Sequence, residues 1–230
     1  MASETATAEI ATAQIGMIFE LEGAAVNGRA SLYEAAKNVF QKAGITLSHS
    51  QFARHCNQGS ATGIINKLIE DVGNDKLPDD AAEAIQAEYT TLIQQGVKLH
   101  PLFSNLLKEA ANRGMAIAAI SVLPEIAATT VFEKSGLAGQ GVILHTFEPG
   151  ERHFPRVDCW MKICRQVVRN PRACVAIAGS RDAGRAALSS GMRCLILPDA
   201  FTSYQDFSGA DLVLENFDDY SPADVFSALS

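Results

Sequence analysis

The chain has 230 residues, 47% of them hydrophobic and 20% charged, with a formal net charge of −7. That length allows one domain with an insertion and a sizeable buried core. The acidic balance argues against nucleic acid and acidic membrane surfaces as partners. Five cysteines with no Cys-x-x-Cys spacing support neither a disulfide framework nor a zinc site. They read as reduced thiols of a cytoplasmic protein, Cys174 and Cys194 within apolar runs.

Residues 1–14, MASETATAEIATAQ, are small and polar and lack the regions of a signal peptide, so a disordered tail is expected. No apolar run approaches membrane-spanning length. Gly16–Leu21 reads as a short buried strand, with two acids at its end, Glu20 and Glu22. In the next stretch Leu32, Ala35, Ala36, Val39 and Phe40 mark one helix face, with Ser31 as N-cap and Gly44 as stop. Helical stretches follow at about 48–57, 61–72 and 78–95, broken by NQGSATG and GNDKLPDD. With no strand signal between Leu32 and Gln95, residues 29–95 are expected to form an all-helical cap. Its small core would be Phe52, Ile64, Ile65, Leu68, Ile85, Tyr89 and Leu92, or part of that face would stay exposed to bind a protein. Residues 15–28 and 96–230 would form the core domain.

After residue 100 strands and helices alternate. HPLFSNLLKEAANRG is helical, MAIAAIS a strand, LPEIAATTVFEKSG helical and GVILHTF a strand. DCWMKICRQVV is helical, ACVAIAG a strand, DAGRAALSSG helical, and MRCLILP and ADLVLENF are strands. Because the strands are continuous apolar runs, this alternation predicts an α/β fold: a doubly wound parallel sheet covered on both faces. Ligands of such sheets gather beyond the strands' carboxyl ends. The residues to inspect are Glu20, Glu22, Ser121, the segment after Phe147, and Gly179 onward.

Four segments carry a family pattern: Phe19-Glu20-Leu21-Glu22-Gly23-Ala24, AIAAIS ending at Ser121, HFPRVDCWMK, and AGSRDA with Gly191-Met192 beyond it. Their order and spacing resemble the haloacid dehalogenase-like (HAD) superfamily, in its phosphoglycolate phosphatase and β-phosphoglucomutase branch. The resemblance covers nearly the whole chain after Gly16 and implies a Rossmann-like hydrolase core with an inserted helical cap. It puts Glu20 at the position of the nucleophilic aspartate and Glu22 at that of the aspartate acting as general acid and base. Ala24 replaces a threonine. Ser121 takes the phosphate-holding place, with Ser180 and Arg181 as further substrate contacts. The motif lysine is Phe154, and the neighbouring Arg152, His153 and Arg156 are out of step with it. The magnesium carboxylates belong at Gly179 and Ala183, which carry no side-chain oxygen; Asp182, one position away, is a possible remnant metal ligand.

These substitutions bear on chemistry. Glutamate in place of aspartate adds a C–C bond of about 1.5 Å, and a misplacement near 1 Å costs around 100-fold in rate. Phosphoryl transfer also needs the charge on the equatorial oxygens neutralised. The expectation is a HAD-like pseudoenzyme without phosphatase activity and without a cofactor, binding a small phosphorylated metabolite or a protein partner. The alternative is an active phosphatase or phosphomutase with Glu20 as nucleophile, Glu22 as acid and base, and Mg2+ as cofactor. A third reading is a dimeric module joined through the cap. Each site residue also has a plainer reading: the glutamates as a relict strand end, Ser121 as a helix cap, Asp182 as a complement to a helix dipole, Arg181 as a surface side chain. The histidines show no metal-binding spacing, and AGSRDAG is not a nucleophile elbow.

Overall fold

The computed structural model describes residues 15–57, 60–73, 76–147, 154–167, 170–215 and 220–229. The expected tail, 1–14, lies outside them, as do Arg152 and His153.

Strand β1 (Gly16–Glu20) is buried along its whole length. It stops one residue short of the expected end, because Leu21–Ala25 forms a single wide turn closed by the Val26 N–H on Leu21 O at 2.9 Å. Helix α1 (Gly28–Lys42) begins three residues before Ser31, the expected cap. Ser31 instead lies inside the helix, its hydroxyl bonded back to Asn27 O. The early start carries Arg29 into the first turn.

Helices α2 (His49–Ala53), α3 (Ala61–Val72) and α4 (Ala81–Gln95) follow. Ser48 and Gln51 form a reciprocal capping box on α2, and Ser60 caps α3. The expected 48–57 helix ends at Ala53, where His55 and Cys56 switch to i→i+3 bonds. α1 and α3 both pack on α4. Phe52, Ile64, Ile65, Leu68, Ile85 and Tyr89 are buried and Leu92 is partly so, in an apolar cluster continuous with one face of the sheet. The two connections of this helical group run side by side: Val26 faces Leu99 in an antiparallel bridge, and the His100 N–H donates to Ala25 O.

Helix α5 (Pro101–Asn112), β2 (Ala116–Ser121), α6 (Glu125–Lys134), β3 (Val142–Thr146), α7 (Val157–Val167), β4 (Cys174–Ala178), α8 (Arg181–Ser189), β5 (Arg193–Ile196), β6 (Leu212–Val213) and α9 (Pro222–Ala228) complete the chain. The six strands lie in the order β3-β2-β1-β4-β5-β6, every neighbouring pair parallel. Met17, Phe19, Ile117, Ala119, Val175 and Ile177 face one apolar cluster; Ile18, Ala118, Ile120, Ala176 and Ala178 face the other. Both phases of each central strand are therefore covered, which is why they read as unbroken apolar runs. β1 lies between β2 and β4, where the winding reverses direction, so the strand ends at Glu20, Ser121 and Ala178 open together at a switch point.

Candidate active-site cleft

Three glycines let the chain wrap closely around the two glutamates. A Cβ on Gly23 would lie 2.1 Å from Glu20 Oε2, and one on Gly28 would lie 2.5 Å from Glu22 O and 2.8 Å from Glu22 Cβ. On Gly179 it would lie 1.7 Å from Gly23 O. Side chains at these positions would expel the carboxylates or push the strand ends apart.

Glu20 is 7% exposed. Its Oε1 accepts the Gly179 N–H at 2.9 Å. Burial raises its pKa, against the lowering effects of Arg29 and of that N–H. Glu22, 9% exposed, reaches the end of β2. Its Oε1 accepts the fully buried Ser121 hydroxyl and, at 3.4 Å, the Leu123 N–H. Burial pushes its pKa up to about 7, although the Ser121 hydroxyl and nearby backbone N–H groups favour the charged form.

The glutamates open on a cavity of about 520 Å³, closed by the inserted helices and also lined by Arg29, Tyr89, Phe154 and Ser180. Ser180 is 2% exposed but its hydroxyl does not cap α8. Phe154 packs between Phe147 and Trp160, with ring centroids 6.5 and 5.5 Å away. The structure thus brings together Glu20, Glu22, Ser121 and Ser180. It directs Arg181 elsewhere: its Nε pairs with Asp182 Oδ1 at 3.0 Å, its backbone N–H binds Gln205, and neither Arg181 nor Asp182 lines the cavity. Arg156 pairs with Asp158 on the surface.

Sequence reasoning passed over two residues. Arg29 Nη1 donates to Gly23 O and to Asp199 Oδ2, both at 2.9 Å. Burial acts to lower its pKa, but Asp199 and Glu20 outweigh that, and the net shift is upward. Asp199 had a legible signal, since it follows β5 at the same edge of the sheet. Arg29 had none beyond being a lone charge among small residues.

The magnesium ion that the family resemblance implies does not fit these residues. A small divalent ion of this kind wants hard oxygens in a tight octahedron. Gly179 and Ala183 supply no side-chain oxygen. Among the described residues no three of His, Cys, Asp and Glu converge in a metal-holding arrangement.

No family model matches the chain. The chain is 28% identical to the protein CbbY of Cereibacter sphaeroides over 143 residues, a stretch spanning 60% of this chain and 62% of CbbY. It is 22% identical to YhcW of Bacillus subtilis over 200 residues, covering 87% and 90% of the two chains. The crystal structure of CbbY from Rhodobacter sphaeroides in complex with phosphate superposes with a TM-score of 0.75 at 19% identity, over 93% of this chain and 98% of that one. The haloacid dehalogenase-like protein ATU0790 of Agrobacterium tumefaciens gives 0.76 at 17% identity, over 93% and 98%.

Proposed function

We propose that this chain, a haloacid dehalogenase-like protein, has exchanged phosphoryl transfer for the binding of a small molecule in its cleft. One observation carries the reading. The Glu22 carboxylate is seated on the Ser121 hydroxyl and the Leu123 N–H, the donors at the end of β2 that a substrate phosphate would need. A second anion there would meet a carboxylate instead of donors, with no lysine to offset it, since Phe154 fills that place.

The remaining facts agree with that. Glu20 is held by the Gly179 N–H and the Arg29 charge, so it lacks the free approach that in-line attack on phosphorus requires. The cavity keeps a mixed lining of Tyr89, Ser180, Leu32 and Ile64, within the size range of small-molecule sites. The five free cysteines support a reducing, cytoplasmic setting. Among the described residues no helix is long and apolar enough to cross a membrane.

Phosphate release from a panel of phosphomonoesters in millimolar magnesium tests the reading. The expected result is a rate equal to the buffer blank. Turnover on the order of 1 s⁻¹, the lower end for ordinary enzymes, would overturn it. Calorimetry supplies a second check: the natural chain should ignore inorganic phosphate, while Glu22→Ala should gain millimolar binding at the vacated donors.

A further inference from the structure

The motif order places a metal carboxylate at residue 179, and the structure shows what fills the room such a side chain would use. A Cβ there would lie 1.7 Å from Gly23 O and 3.0 Å from Arg29 Nη1. A backbone carbonyl and a guanidinium nitrogen therefore occupy the space. That nitrogen gives one N–H to the carbonyl and one to Asp199 Oδ2, each at 2.9 Å. The Glu20 carboxylate meets the same glycine from the other side, its Oε1 accepting the Gly179 N–H at 2.9 Å, and its charge and that of Arg29 act on each other. The group is 9% exposed. One carboxylate and a carbonyl thus hold this positive group directly, with a second carboxylate on the far side of Gly179, and these are the hard oxygens a divalent ion would also seek.

The local fold explains how the arginine gets there. The close approach of Gly28 to Glu22 O lets α1 start directly behind the wide turn, and its second residue projects under the strand ends. Arginine suits the place better than lysine would. Its guanidinium stays charged, is weakly hydrated and presents several donors in one plane.

We propose that Arg29 is a built-in replacement for the divalent cation: its guanidinium neutralises Glu20 and Asp199, ties down the Gly23 carbonyl, and leaves the folded protein with no use for magnesium at this site. The inference concerns the same cleft as the proposed function but stands apart from it. Phosphate release reads turnover, whereas the experiments below read the cation, and either can fail without the other.

Thermal unfolding of the natural chain in millimolar magnesium chloride, against sodium chloride of equal ionic strength, is the first arm. The midpoint should not differ between them. A saturable rise with magnesium would overturn the proposal. The second arm is a mutant cycle. Arg29→Met alone strands the buried Glu20 and the partly buried Asp199 and should lower the folding equilibrium constant by roughly 100-fold, below the scale of breaking a fully buried pair. In a Glu20→Gln, Asp199→Asn background the same change should cost at least about tenfold less. Equal losses in both backgrounds would overturn it. Should Arg29→Met alone fail to fold, the triple variant decides: it is expected to fold, and its failure would sink the idea. Arg29→Lys, which keeps the charge but loses the fork, should fall between the natural chain and Arg29→Met.

Discussion

A single added carbon at Gly179 would meet Gly23 O at 1.7 Å, and both glycines belong to backbone that follows directly on the central strands β1 and β4. Gly179→Ala should therefore cost more than about 3 kcal/mol in urea unfolding, at the upper end for overpacking. Glu22 yields a pH prediction. Burial raises its pKa from 4.5 to about 7, so the folded protein holds the proton more tightly than the unfolded chain does. Stability from this group is full below pH 4.5 and is lost as pH rises through 7. At 1.36 kcal/mol per unit the whole window is worth roughly 3 kcal/mol. Urea midpoints should rise from pH 8 to pH 5, and Glu22→Gln should flatten that slope. The sequence showed the glutamate pair plainly, because two acids ending an apolar run announce a strand end. It did not show that Glu22 turns onto Ser121 or that Arg29 meets Asp199, partners 99 and 170 positions apart. Contacts of that range are made by the sheet order, which no local spacing encodes.

The inserted helices are fastened to the sheet by a ring cluster. Phe201, in the loop after β5, stacks on His49 at 4.3 Å and meets Phe52 and Tyr33 edge-on or tilted at 4.9 and 5.4 Å. Tyr204 donates to Ala53 O from the same loop. Phe201→Ala removes the hub and should cost 3–5 kcal/mol, as large aromatic truncations do. Limited proteolysis should then cut first around α2, which is only five residues long. Helices with a clean apolar stripe were legible: α3 spans the residues its spacing predicted. The 48–57 stretch ends sooner and α1 starts earlier than the stripe implies, because capping and i→i+3 turns redraw helix ends without changing the stripe.

The parallel sheet was the most legible level of all, since β1, β2 and β4 are apolar on both faces and allow little else. That the cap core would be continuous with one face of the sheet was less visible; the same apolar residues serve either arrangement. The paired connections at Val26 and Leu99 have a mechanical consequence. The helices from α1 to α4 hang from the sheet on two neighbouring tethers, which behave as one torsion strap with the ring cluster as its clasp at the far side. The His100 amide, bonded across the strap to Ala25 O at 2.8 Å, is then a natural gauge of its twisting. Its deuterium uptake should quicken by about tenfold or more when Phe201→Ala opens the clasp, while amides in the middle of β1 keep their protection.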